Sequence, residues 1–216
     1  MEKRNKIKDL LLEGELYSIT DNKHYSLGNV ALVKELINSG IKIIQYREKY
    51  LGKKEMLLEL KQIRKLTAKS STLFIVNDHV DLCKEVGADG VHLGQGDMAV
   101  NKARAILGEK AIIGLSTHNQ KQGLSGIQSP LDYIAVGPIF QTTTKPDEPI
   151  VGLEFAEAAS GSFNVPLVGI GGITELNLPD VLHVGIKSVC MISDLMLDTN
   201  LIAKVRRIRK LLRNPN

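Results

Sequence analysis

Three cations, Arg47, Lys49 and Lys145, and two carboxylates, Asp78 and Asp97, stand in settings suited to phosphate chemistry. Lys145 closes the stretch DYIAVGPIFQTTTKP, where an apolar run over 133–136 passes Gly137 and Pro138 into Thr142, Thr143 and Thr144. Hydroxyls, backbone N–H groups and an ammonium together can hold an anion. Taken alone, the same residues also read as a polar surface loop. Arg47 and Lys49 follow another apolar run, and cations that converge need anions, with phosphate or diphosphate the obvious class. Pairing with Glu48, or plain solvation, would account for them as well. In a cationic setting, Asp78 and Asp97 read as a Mg²⁺ site, because that ion takes oxygen ligands and keeps phosphates and waters as the rest. The competing reading is helix capping, since both precede helical patterns.

A second anion position is suggested by Gly171-Gly172 and Ser193, whose backbone N–H groups follow apolar runs. The surrounding GIGGI lacks the G-x-G-x-x-G spacing and the later acidic residue of a dinucleotide loop. His118 has no Ser or Cys partner in triad order and reads as structural. His92 and Cys190 lie inside apolar runs and read as core. No side chain is an evident nucleophile, and no carboxylate or lysine is left over as a base. Two anionic groups, one with Mg²⁺, suit departure of diphosphate better than proton abstraction.

These residues share one position in a repeating pattern. Short apolar runs rich in Val and Ile fall at 16–20, 41–46, 72–76, 90–93, 111–115, 133–136, 166–170 and 188–192. Helical patterns lie between them at 29–38, 53–69, 79–86, 99–107, 119–127, 154–159 and 174–184, with a last one at 200–212. Runs that are apolar on both faces are how parallel strands covered by helices read. The expectation is an α/β fold: a single (β/α)8 TIM barrel with a short N-terminal helix. One domain covers 1–216, with the leading helix at 1–13 and the barrel at 15–213. A doubly wound open sheet is the rival and normally uses fewer strands for this length. The polar residues gather after the strands, among them Gln45, Asn77, Gln95 and Ser116. Barrel enzymes keep their chemistry at those C-terminal strand ends, and the opposite ends carry no such set.

Bulk properties narrow the partners. The chain has 216 residues, 43% hydrophobic and 24% charged, with net charge +4, the balance of an ordinary globular protein. Its basic clusters, MEKRNKIK and KVRRIRKLLR, have helical spacing, and aromatics are only 4%. They read as solvated helix faces rather than a nucleic-acid patch. Cys83 and Cys190 form no disulfide framework or metal spacing, which suits a reducing cytoplasm. No signal peptide or membrane-length apolar run is expected. Small phosphorylated molecules are the expected partners, with no nucleic acid and no membrane, and homo-oligomer formation is left open.

Taken in order, YSITD, IQYREK, VNDHVDL, GADGVHLGQGDM, IGLSTHN, DYIAVGPIFQTTTKP, VPLVGIGGI and MIS make this chain resemble the thiamine-phosphate synthase family from Tyr17 to about Ser193. The resemblance implies a (β/α)8 barrel that joins hydroxymethylpyrimidine diphosphate to thiazole phosphate with Mg²⁺. Diphosphate leaves first, and the thiazole nitrogen traps the pyrimidine-methyl cation. Carried over by motif, Gln45, Tyr46, Arg47, Glu48, Lys49, Asn77, Ser116 and Lys145 would bind the pyrimidine diphosphate. Arg47, Lys49, Lys145 and Ser116 among them would be catalytic. Thr142, Thr143, Thr144, Gly172, Ile192 and Ser193 would hold the thiazole phosphate, and Asp78 and Asp97 the Mg²⁺. Tyr46, Gly96 and Cys190 depart from the usual pattern without removing a ligand. Two other readings are a thiazole tautomerase of the same barrel and a non-catalytic phosphate-binding regulator. The first would lack the aspartates and the Thr-x-Thr-Lys segment, which are intact here.

Overall fold

The structure, a computed structural model, describes residues 2–22, 25–144 and 148–214. Helix α1 (Glu2–Glu13) leads into β1 (Leu16–Ile19), α2 (Asn29–Asn38), β2 (Ile43–Tyr46), α3 (Lys53–Thr67) and β3 (Leu73–Asn77). Then come α4 (Val80–Val86), β4 (Gly90–Leu93), α5 (Val100–Leu107), β5 (Ile112–Thr117), α6 (Gln120–Gly126) and β6 (Tyr133–Val136). The chain ends with α7 (Gly152–Ser162), β7 (Leu167–Ile170), α8 (Leu178–His183), β8 (Ser188–Met191), α9 (Ser193–Met196) and α10 (Leu201–Arg213). The strands pair in sequence order, and β8 closes on β1 with Tyr17 opposite Cys190. Every pairing is parallel, as the doubly apolar strands require.

Alternation along the strands divides the core into two layers. Tyr17, Ile19, Ile43, Ile75, Ile112, Tyr133, Val168 and Cys190 fill the barrel interior. Their neighbours, such as Leu16, Ile44, Tyr46, Phe74, Val91, Ile134 and Val189, pack outward beneath the helices. Helix α1 closes the N-terminal end. Its Ile7 and Leu11 belong to the interior cluster, and Ser188 Oγ donates to the Leu11 carbonyl at 2.8 Å. The barrel is therefore plugged below and open only at the C-terminal strand ends.

Buried charge ties the plug to the wall. Asp132 is fully buried, and its carboxylate accepts from Arg4 Nε at 2.7 Å, Arg104 at 3.1 Å and the Ile113 N–H at 2.9 Å. Removing one member of a buried pair strands its partner in low dielectric. Asp132→Ala is expected to lower unfolding free energy by about 3 kcal/mol, read from urea titration. A loss within the error of that titration would show that Arg104 keeps adequate partners in the Pro130 and Ala111 carbonyls.

Three local departures from the sequence expectation stand out. Helix α8 starts at Leu178 rather than 174. The Thr174 N–H donates to Asn177 Oδ1 at 2.7 Å and the Asn177 N–H to Thr174 Oγ1 at 3.3 Å, so side chains compete with the helical ladder there. Strand β5 runs on to Thr117, so Ser116 stands within the strand rather than after it. Helix α9 was not expected, and it makes Ser193 the first residue of a turn of helix.

Candidate functional site

The open end of the barrel holds a cavity which, with its mouth, encloses about 830 Å³. One side is formed by Gln45, Arg47, Asn77, His92 and Ser116, at the ends of β2 to β5. Facing them are Thr142, Thr144, Gly171, Gly172, Ile192 and Ser193, which follow β6, β7 and β8. A second depression beside it is lined by Arg47, Lys49, Thr143 and Thr144. Arg47 and Thr144 therefore border both spaces. Lys145 lies outside the described residues.

Two of the expected positions do not present their side chains as the sequence suggested. Tyr46 is fully buried in the barrel–helix layer, and its hydroxyl donates to Glu59 Oε2 at 2.7 Å. The period of two along β2 sends Gln45 inward and Tyr46 outward. Glu48 is also buried, and its Oε1 accepts the N–H groups of Lys49 at 2.8 Å and Tyr50 at 2.7 Å. Oε2 accepts from Asn22 and Asn29. Glu48 edges the second depression, but its carboxylate is spent on folding the β2–α3 loop, which aims Arg47 and Lys49.

That assignment also removes Glu48 as a partner for the cations. Glu48 pairs with neither. Lys49 reaches across to Asp78 Oδ2 at 2.7 Å, and Arg47 makes no ion pair among the described residues. Its backbone is fixed instead, with the N–H donating to Thr20 Oγ1 at 3.0 Å. A half-buried guanidinium that lines the cavity without a counter-ion among the described residues has donors to give a ligand.

Asp78 follows β3 with φ 61, a left-handed conformation that Asp tolerates better than most residues. Its N–H donates to the His92 carbonyl at 2.9 Å. The turn brings its carboxylate within hydrogen-bond reach of Asp97. Neither residue caps a helix: α4 and α5 begin after His79 and Ala99, without a side-chain cap bond. Burial raises the Asp78 carboxyl, but the Lys49 ammonium and the bond to Asp97 outweigh it and hold the group below its usual range. Asp97 is pushed up by burial and by Asp78, against the Gly94 N–H that donates to it at 2.7 Å. Two carboxylates forced together favour a shared cation. Among the described residues no cluster of three or more His, Cys, Asp or Glu could hold a metal. An all-oxygen pair fits Mg²⁺, which commonly takes one or two carboxylates and completes its shell with phosphates and water.

On the opposite wall the backbone comes close to any ligand. Gly172 has φ 62, and a Cβ there would lie 2.2 Å from the Gln141 carbonyl oxygen. His118 is tied through Nδ1 to the Gly137 carbonyl at 2.6 Å, in keeping with a structural role, although its ring reaches the cavity wall. His92 and Cys190 are buried within their strands as expected, but both also line the cavity floor. Sequence reasoning missed that second role. The signal was the inward register of β4 and β8, legible only once the barrel closes.

The family described as thiamine monophosphate synthase matches residues 16–195. A thiamine-phosphate synthase of Dictyoglomus turgidum is 42% identical over 96% of this chain and 94% of its own. One from Caldicellulosiruptor saccharolyticus is 45% identical over 89% of this chain and 88% of its own. Among solved structures, thiamine phosphate pyrophosphorylase from Pyrococcus furiosus superposes with a TM-score of 0.85 at 33% identity, covering 94% of this chain and 97% of that one.

Proposed function

The chain belongs to the thiamine monophosphate synthase family, and on that premise we propose how its barrel works as a thiamine-phosphate synthase. It is a transferase that condenses 4-amino-2-methyl-5-(diphosphooxymethyl)pyrimidine with 4-methyl-5-(2-phosphooxyethyl)thiazole, giving thiamine monophosphate and diphosphate. One barrel carries the whole reaction, with the leading helix as its plug. The observation that carries the residue roles is the cluster of Arg47, Lys49, Asp78 and Asp97 above a cavity with no activated nucleophile.

Gln45, Asn77 and Ser116 hold the pyrimidine between them, and Arg47 and Lys49 lie on its diphosphate. Lys145 joins them on the strength of its motif. Asp78 and Asp97 hold Mg²⁺, which would supply positive charge to the diphosphate as it leaves. Lys49, 2.7 Å from Asp78, would add its ammonium to the charge facing the same anion. Burial pushes the Cys190 thiol far above its usual range, so it stays protonated and a poor nucleophile. The pyrimidine-methyl cation left behind is therefore trapped by the thiazole nitrogen and not by the protein. Closure of the barrel floor by α1 keeps water from entering below. The reducing environment that suits two free buried thiols is the cytoplasm.

The thiazole phosphate rests on Thr142, Thr143, Thr144, Gly172, Ile192 and Ser193. Gly172→Ala would force the backbone at Gln141 to shift. The KM for thiazole phosphate is expected to rise on the order of tenfold, the scale for one misaligned polar contact, while the KM for the pyrimidine substrate holds. Equal changes in both constants would remove Gly172 from the phosphate position. The reading as a whole is tested by incubating the protein with both substrates and Mg²⁺ and identifying the product by mass spectrometry. Thiamine monophosphate is expected. An isomerised thiazole phosphate without coupling would favour a tautomerase, and ligand binding without any product a regulator.

A further inference from the structure

Beneath the cavity, side chains from five strands form an unbroken hydrogen-bonded chain. Gln45 Nε2 donates to the Tyr17 hydroxyl at 2.9 Å, and the Tyr17 and Tyr133 hydroxyls are 2.8 Å apart. The Tyr133 hydroxyl lies 2.9 Å from His92 Nδ1, and His92 Nε2 lies 2.8 Å from Ser116 Oγ. The two ends, Gln45 and Ser116, line the cavity. The two tyrosines lie below it, 2% and 0% exposed.

The packing around the centre is specific. Gly114 faces Tyr133 across the β5–β6 pair, and a Cβ on it would lie 2.1 Å from the phenol ring. The missing side chain makes room for the ring, which stacks on His92 with centroids 5.5 Å apart.

One direction satisfies every group in the chain. Burial raises both phenols well above their usual range, so each keeps its single proton. A hydroxyl that accepts from one neighbour can donate to the next. With Gln45 donating, Tyr17 gives its proton to Tyr133, and Tyr133 gives its own to His92 Nδ1. In this direction the ring is neutral and donates from Nε2 to Ser116. Ser116, having accepted, turns its own O–H to the cavity. Gln45, with one N–H given to Tyr17, presents Oε1. The far ends of the chain are thus set together: acceptor at Gln45, donor at Ser116.

We propose that Tyr17, Tyr133 and His92 are positioning residues that lock this acceptor–donor pattern and thereby select an aminopyrimidine over the corresponding oxopyrimidine. The proposal rests on the synthase reading and deepens it. An aminopyrimidine edge offers an amino N–H beside a ring nitrogen lone pair, which matches the pattern. An oxopyrimidine offers a carbonyl oxygen beside a ring N–H, the reverse. In the same pose it would set its carbonyl oxygen against Gln45 Oε1 and its ring N–H against the Ser116 O–H.

Two measurements on the full chain test this. ¹⁵N NMR of the histidine-labelled wild type, with His92→Gln to assign the signal, is expected to show the Nε2–H tautomer at His92. The Nδ1–H tautomer would overturn the stated direction. Tyr133→Phe removes the hydroxyl that links both halves. Its KM for the aminopyrimidine diphosphate is expected to rise on the order of tenfold, with that for thiazole phosphate unchanged. The preference for amino over oxo substrate, as a ratio of kcat/KM, is expected to fall on the order of a hundredfold. A residue that only packed would lower stability or kcat and leave the ratio alone, and an unchanged ratio overturns the proposal. Tyr17→Phe cuts the same chain one link earlier and replaces Tyr133→Phe should that variant not fold. Should the wild type couple nothing, the synthase reading fails, and the His92 tautomer still decides the chain. With coupling intact and the ratio preserved in the variants, the relay fails while the synthase reading stands.

Discussion

Replacing Asp78 by Ala is expected to lower diphosphate release on the order of a hundred- to a thousandfold, the scale for losing one charge-stabilising group, and to flatten its dependence on Mg²⁺. Asp78 is the more exacting of the two carboxylates because its backbone is committed to φ 61. That conformation costs free energy for a non-glycine residue and persists where surrounding structure holds it. The Asp78 N–H bond to the His92 carbonyl at 2.9 Å is part of that hold. The carboxylate so placed meets Asp97 and takes the Lys49 ammonium at 2.7 Å. Alanine removes the charge and also loses Asp's tolerance of the left-handed region. Asn is the control, since it tolerates the same backbone. If Asp78→Asn and Asp78→Ala lose Mg²⁺ dependence alike, the charge is responsible. A normal metal titration in both would take Asp78 out of the metal site.

Arg47→Ala is expected to cost turnover on the order of a hundredfold, from loss of a guanidinium aimed at departing charge. The expectation rests on what Arg47 lacks. Asp78 holds Lys49, and internal donors saturate Glu48, while Arg47 has no ion-pair partner among the described residues. It borders both the main cavity and the depression beside it. Arg47→Lys is expected to recover only part of the loss, because an ammonium keeps the charge but not the planar fork that binds two oxygens at once. Full recovery in the lysine variant would mean that a point charge suffices there, and near-normal turnover in Arg47→Ala would place the diphosphate elsewhere.

Much of this architecture was legible in the sequence because barrel strands announce themselves. Runs such as Tyr133–Val136 are apolar on both faces and bounded by polar or glycine residues, and seven of the eight strand ends carry site residues. Helix α2 was expected over the residues it occupies, Asn29–Asn38, because the apolar period and the Ser39-Gly40 close are both local signals. What depended on pairing between strands was not legible. The inward turn of Gln45 and outward turn of Tyr46 follow from alternation, but which face is inward is decided only when β2 pairs with its neighbours. The floor chain through Tyr17, Tyr133 and His92 brings together residues up to 116 positions apart, and Gly114 has meaning only opposite Tyr133. Glu48 escaped for the opposite reason: its partners are backbone amides one and two residues on, and a carboxylate beside cations looks like a ligand or an ion pair before the loop is folded.

The central claim is that the pyrimidine passes directly to the thiazole nitrogen, with no protein nucleophile between them. A rapid-quench measurement of diphosphate release tests it most directly, with enzyme in molar amounts comparable to the pyrimidine substrate, Mg²⁺ present, and thiazole phosphate either supplied or withheld. Release that needs thiazole phosphate, matched mole for mole by thiamine monophosphate, is the expected result. A burst stoichiometric with enzyme when thiazole phosphate is withheld, with the pyrimidinylmethyl mass retained on the protein, would contradict it.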